Sequence, residues 1–397
     1  MQPTLISILV LNQFDNPKPS IFMRSLYLIP ALLILIFLFP RPAQAEEHGS
    51  IAEDLLTKIQ TKVDDLFTRA DTRQTRAVLI QQDGKILIER YAPGFNEKTR
   101  FLSWSMAKSI TATAAGILVA EGKLDLDAPL DIPQWRQDER SRITLRHMLN
   151  MTAGLKHSEE SESLWDAAET DTARALFSTE SKDAVAYALN RAYSKPAGET
   201  FQYSTIVSIL LAWLVSEEIT SEYEPEKRRK AILEWYQSRI FQPTGINSAV
   251  MEFDAQGNFM GGSFVHMTAR DWIRMGQIYA QDGQIDGMQI VPKSWVDYVK
   301  TPITLNPQYG AQFWINSPYM EGQLEAMPHP YGPETLYGML GHLGQFVLIA
   351  PERGLVIVRL GKTPDQKLRP IRKILGQIAD LFPPVSKPPA SKAGIKN

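Results

Sequence analysis

Strand-like runs stand at both ends of this chain with a long helical stretch between them, and that order restricts its fold more than any other feature. Near the start, Ala77-Val-Leu-Ile80 and Ile86-Leu-Ile-Glu-Arg-Tyr91 flank Gln82-Asp83-Gly84-Lys85, with Asp-Gly where a tight hairpin needs positive φ. Near the end, Gln345-Phe-Val-Leu-Ile-Ala350 and Leu355-Val-Ile-Val-Arg-Leu360 are joined by Pro351-Glu-Arg-Gly354, which fits a type I turn closed by a left-handed glycine. From about residue 145 to 298 helical patterns dominate, opened by caps such as Thr144 and Thr268. Amphipathic helices bracket the whole: Ile51, Leu55, Leu56, Ile59, Val63, Leu66 and Phe67 at one end, Ile371, Ile374, Leu375, Ile378 and Leu381 at the other. The simplest assembly is α+β. Both hairpins join one antiparallel sheet flanked by helices, and the middle forms an inserted all-helical lobe. A cleft between sheet and lobe is then the natural substrate site.

The termini read differently from the body. Leu26 to Phe39 is a continuous apolar run, with Arg24 before it and Ala43-Gln44-Ala45 after it. Basic flank, apolar core and small residues predict a secretory signal peptide over residues 1–45, cleaved after Ala45; Met23 is an alternative start. The run is short for a membrane span, which needs ~20 residues. The predicted location is the periplasm, with membrane contact only if the segment is retained as an anchor. Residues 46–382 form the predicted domain. Residues 383–397, rich in proline and lysine, are expected to be a disordered tail. The full chain carries a formal charge of −2, and removing the basic leader leaves it more acidic, which argues against nucleic acid as a partner. It has no cysteine, hence no thiol nucleophile, disulfide or thiolate metal site. The six histidines show no metal-ligand spacing on one helix, so neither metal nor cofactor is expected.

The chemistry centres on Phe101-Leu-Ser-Trp-Ser-Met-Ala-Lys108, which runs into an apolar helix pattern ending near Gly122. Ser105 and Lys108, three residues apart, share one helical face. A lysine amine can take the serine proton only if burial or neighbours lower its pKa well below ~10.4. Ser105 would also stand at a helix N-terminus, where free N–H groups favour developing negative charge. Taken alone the pair is weak evidence, since a capping serine followed by a surface lysine looks the same.

Two further stretches give it context: Pro196-Ala-Gly-Glu-Thr-Phe-Gln-Tyr203-Ser204-Thr205 before an apolar helix, and Gly341-His342-Leu343-Gly344-Gln345 before the last hairpin. In this order the three motifs resemble the serine β-lactamase and penicillin-binding-protein superfamily. The nearest branch is the class C β-lactamase group with its esterases, D-aminopeptidases and 6-aminohexanoate-dimer hydrolases. Glu121 to Pro129, Ile143 to Leu155 and Met267 to Trp272 are similar to that branch too, and the resemblance spans about Ala77 to Phe382.

The resemblance implies a β-lactamase-like fold and an exported serine hydrolase that cleaves an ester or amide of a small molecule through an acyl-enzyme on Ser105. Lys108 and Tyr203 are implied as proton-transfer groups, and which one is the base stays open because the pair titrates together. Near Lys108, the Tyr203 phenol is expected to be drawn toward phenolate. The N–H groups of Ser105 and Gln345 are implied as the oxyanion hole, with Gly344 letting substrate approach the strand edge. Two positions depart from the pattern. His342 stands where β-lactamases carry lysine and, neutral at pH 7, would hold a substrate carboxylate less firmly. Thr205 stands where the family has asparagine and offers only a hydroxyl. Both point away from β-lactam hydrolysis. The alternatives are a β-lactamase or D-Ala-type peptidase, or a non-catalytic penicillin-binding-like protein.

Overall fold

The structure, a computed structural model, describes residues 44–160, 166–320 and 324–384, with side chains from residue 53 onward. The expected signal segment and tail lie outside these residues but for their inner ends. Contacts divide the chain at Ser50, and the sheet, the lobe and the site all belong to the unit Ile51–Asn397. No helix among the described residues is long and apolar enough to cross a membrane.

Helix α1 (Gln44–Thr68) is followed by strands β1 (Thr75–Gln82) and β2 (Lys85–Tyr91), the short strand β3 (Arg100–Leu102) and helix α2 (Met106–Ala120). Asp83 and Gly84 both adopt positive φ, 47° and 80°, as the hairpin turn between β1 and β2 requires. Helices α3 (Leu145–Leu149), α4 (Asp171–Phe177), α5 (Ala184–Leu189), α6 (Thr205–Ile219) and α7 (Pro225–Tyr236) build the lobe. Then come β4 (Val250–Met251), β5 (Val265–Thr268), α8 (Ala269–Ala280), the ribbon β6 (Gln284–Ile285) and β7 (Met288–Gln289), and α9 (Lys293–Val299). The chain closes with β8 (Trp314–Ile315), β9 (Tyr337–Gly341), β10 (Gln345–Ala350), β11 (Leu355–Gly361) and α10 (Arg369–Leu381).

Six strands form one antiparallel sheet in the order β2-β1-β11-β10-β9-β8. The first hairpin meets the last through the pairing of Leu79 with Val358, as the two-ended strand pattern requires. Gly354, at φ 58°, closes the turn between β10 and β11.

The sheet is buried on both faces. Leu79, Val347, Val356 and Val358 point into a core shared with α2 and α8, where Gly276 lets the sheet approach closely: a Cβ there would lie 2.5 Å from Val356. Val78, Ile80, Leu348 and Ile357 point the other way, into a core shared with α1 and α10. The stretch expected to be a helical lobe, about 145–298, therefore divides. Its first part is helical, while its later part adds a three-stranded sheet, β3-β5-β4, and returns α8 to the main sheet.

Candidate active site

Ser105 caps α2 with helical backbone angles, φ −65° and ψ −7°, so its side chain and that of Lys108 rise from the same first turn. What fixes this turn is Ser103. Its N–H donates to the carbonyl of Val265, its hydroxyl donates to the carbonyl of Ser263, and that hydroxyl accepts from the N–H of Val265. Between them Trp104 is held at φ 46°, a conformation costly for a bulky residue and found where a site over-determines the backbone.

Lys108 is 1 % exposed. Its Nζ lies 3.2 Å from Ser105 Oγ, 2.9 Å from Thr205 Oγ1 and 2.8 Å from the carbonyl oxygen of Gly262. Burial pulls its pKa down to about 8, against the opposing pull of Glu159. Thr205 opens α6, 97 residues further on, and is tied down by Glu159, which accepts from its N–H at 2.7 Å and its hydroxyl at 2.6 Å. Because the Thr205 hydroxyl gives its proton to Glu159, it can only accept from Lys108.

Tyr203 is brought to the same place. The Lys108 ammonium sits over its ring, 5.2 Å from the centroid, and the Ser105 side chain near the phenol favours its ionised form. Burial first, and the Glu159 charge second, push the phenol's pKa well above its ordinary value. The expected drift toward phenolate is thus reversed: the lysine faces the aromatic ring, and a carboxylate stands near the hydroxyl. Trp314 packs against Tyr203 at 5.4 Å between centroids, and His157 Nε2 lies 2.6 Å from the Tyr203 carbonyl oxygen.

The third motif also arrives. Gly341 passes so close to the first that a Cβ on it would lie 2.2 Å from the Ser103 carbonyl oxygen, and His342 packs edge-on against Trp104 at 5.0 Å. Gln345 opens β10 opposite Gly341, and its side chain is spent on Gly361 and the His342 carbonyl. Gly344 has a packing reason of its own. At φ 78° it turns its α-carbon toward Arg359 and Leu368, whose atoms would lie 2.6 and 2.5 Å from a Cβ. His342 is not a free imidazole awaiting a carboxylate: its Nδ1 is hydrogen-bonded to Asp365, which raises its pKa. Glu160 joins them, its ligand atom within 4.8 Å of both, and burial and Asp365 raise its pKa in turn.

Glu159, Glu160, Asp365 and Gly262 are the site residues that the sequence reading missed. The acidic run Ser158-Glu-Glu-Ser-Glu162 just after a family-like stretch was the one visible signal for the first two. Phe177, 64 % exposed, was missed as well; it packs on Trp104 and Phe264 as an aromatic wall.

This constellation can be set beside known proteins. The profile of the Beta-lactamase family matches residues 63–379. The chain belongs to the Beta-lactamase family. A 6-aminohexanoate-dimer hydrolase of Paenarthrobacter ureafaciens is 24 % identical over 322 residues, covering 79 % of each chain. Among solved structures, a Bacillus anthracis protein provisionally assigned as a 6-aminohexanoate-dimer hydrolase superposes with a TM-score of 0.63 at 22 % identity, again over 79 % of each chain. A penicillin-binding-protein homologue from Caulobacter crescentus gives 0.57 at 16 % identity, over 82 % of this chain and 98 % of its own. EstCE1, a hydrolase with promiscuous acyltransferase activity, gives 0.59 at 16 % identity, over 83 % of this chain and all of its own. In this β-lactamase-family hydrolase Ser105, Lys108 and Tyr203 stand in one place. Around them Thr205 is braced by Glu159 and His342 by Asp365.

Proposed function

We propose that this protein is an exported serine hydrolase that cleaves an ester or a linear amide through an acyl-enzyme on Ser105. The observation that carries the reading is the bonding of Lys108. In its neutral form the amine has two N–H donors and one lone pair. Thr205 Oγ1 and the Gly262 carbonyl accept the two donors, which leaves the lone pair for the Ser105 hydroxyl 3.2 Å away. With a pKa of about 8, roughly a tenth of the amine is neutral at pH 7, enough for a general base.

Ser105 Oγ attacks the substrate carbonyl carbon as its proton passes to Lys108. The oxyanion is held by the N–H of Ser105, at the positive end of α2, and by that of Gln345. Collapse breaks the bond to the leaving alcohol or amine, which takes its proton from Lys108. A water then attacks the acyl-enzyme along the same proton path, and the acid leaves. Tyr203 stays neutral beside the Ser105 side chain, because its phenol is held above its ordinary pKa, and can act there as a proton donor.

The relatives' names bear on the substrate. A linear aminohexanoate amide fits the curated relative and the Bacillus anthracis structure, and the promiscuous acyltransferase activity of EstCE1 fits an acyl-enzyme. Thr205 and the Asp365-bound His342 speak against a β-lactam, whose carboxylate would meet an imidazole already paired. One experiment covers site and location. Expressed with its full N-terminus, the protein recovered from the periplasm is expected to begin at Glu46, to be labelled by a fluorophosphonate at Ser105 and to turn over a p-nitrophenyl ester, with Ser105→Ala abolishing label and turnover. Folded protein that takes no label at Ser105 sinks the acyl-enzyme; retention in the cytoplasm with residues 1–45 intact sinks the export.

A further inference from the structure

A cleft of about 430 Å³ opens beside Leu343, on a part of the surface that the proposed chemistry does not use. Its wall includes Arg73, Arg76 and Lys362 from the ends of β1 and β11, with Ala92 and Phe95 opposite, and no carboxylate lines it. Among the described residues none of these three cations forms an ion pair; the Arg76 guanidinium rests on the Phe95 ring, 5.0 Å from its centroid. The nearest acid in sequence to Lys362 is Asp365, and it is committed elsewhere, to His342 and to the Leu343 N–H.

One layer behind this wall lies a fourth cation, Arg359, which is fully buried. Its guanidinium donates to Thr75 Oγ1 at 3.0 Å, to the Gly344 carbonyl at 2.7 Å and to Thr363 Oγ1 at 2.7 Å. Every acceptor is neutral. The hydrogen bonds are satisfied but the charge is not, and Arg76 stands close enough to act on it as a like charge. Burial and then Arg76 pull the Arg359 pKa down to about 9, the direction expected of a cation with no counter-ion. A concave, partly apolar wall around unpaired charges of one sign focuses their field outward.

We propose that this cleft is an anion-binding site that takes a small multivalent oxyanion, inorganic phosphate or the head of a phosphate monoester. Guanidinium forks match such oxygens two at a time, and Lys362 adds a point charge. The site shares the Leu343–Gly344 turn with the catalytic groove, yet it does not depend on the Ser105 chemistry.

Calorimetric titration with sodium phosphate and with methyl phosphate, at fixed ionic strength set with sodium chloride, tests it. The wild-type protein is expected to bind one equivalent saturably, and binding of both probes or of phosphate alone separates a monoester site from a free-phosphate site. Arg76→Gln with Lys362→Gln is expected to weaken binding by about a hundredfold, since each lost charge-assisted hydrogen bond costs about tenfold. Ala92→Glu, which keeps all four cations but places a carboxylate in the cleft, is expected to abolish it. Ester turnover without phosphate stays at the wild-type level in both variants. Phosphate heats indistinguishable from dilution, or equal affinity in wild type and the folded double variant, overturns the proposal; should Ala92→Glu not fold, the double variant decides alone.

Discussion

Lys108 is enclosed by the Ser105 and Thr205 hydroxyls, the Gly262 carbonyl and the Tyr203 ring, and the one charge acting on it is Glu159. That makes the protonation of the site predictable. The base must be neutral, so kcat/KM for a p-nitrophenyl ester is expected to rise with pH through about 8. Glu159 works against burial and holds the lysine's proton on. Glu159→Gln is therefore expected to move that rising limb to lower pH, while loss of the brace on Thr205 lowers the plateau. A limb that stays in place, or moves up, contradicts the assignment of Lys108 as base. Ser105 and Lys108 were legible in sequence because their partnership is local, one helical turn. Glu159 and Asp365 were not, because each acts on a residue brought to it by folding, 46 and 23 positions away. The same gap misled the reading of Tyr203: spacing brought lysine and tyrosine together, but only the fold decides whether the ammonium meets the hydroxyl or the ring.

At the scale of elements, the tightest joint in the site is between β9 and the turn that carries the nucleophile. Gly341 lies against the Ser103 carbonyl, and the turn after it continues to Gln345. Gly341→Ala puts a Cβ 2.2 Å from that backbone oxygen, which cannot swing aside as the end of a flexible side chain could. The variant is expected to lose about 1–3 kcal/mol of stability by denaturant unfolding and at least about tenfold in kcat/KM, as β9 shifts away from Ser105. Gly287→Ala serves as the comparison: its φ is also unfavourable, but nothing lies within 4 Å of its Cβ, so activity should survive. An active, fully stable Gly341→Ala would mean that the joint is slack. The two hairpins of the main sheet were legible because alternation, Asp-Gly and Pro-x-x-Gly mark them. The small β3-β5-β4 sheet was not: its strands are 2–4 residues long, below the length at which a period of two can be seen.

The whole molecule is knit by a sheet whose central strands come from opposite ends of the chain. β1 pairs with β11, and each sends alternate side chains into one of two cores. Neither core belongs to the sheet alone. In α3, Leu145 and Leu149 join the core of α2 and α8, while Met148 joins the core of α1 and α10. Lobe and sheet thus share both cores, and neither can open without exposing the other. Residues 51–397 are therefore expected to unfold in one cooperative step despite the lobe-and-sheet layout. Far-ultraviolet circular dichroism and tryptophan fluorescence should give coincident urea transitions. Met148→Ala in the lobe and Ile378→Ala in α10, each removing a fully buried side chain at about 2–5 kcal/mol, should move that single transition without splitting it. If Met148→Ala separates an early transition from a later one that keeps the sheet, the lobe folds as its own unit. The active site, with Ser105 on α2 and Thr205 on α6, would then lie across a boundary that could open independently, and the tight bonding of Lys108 would describe only its closed state.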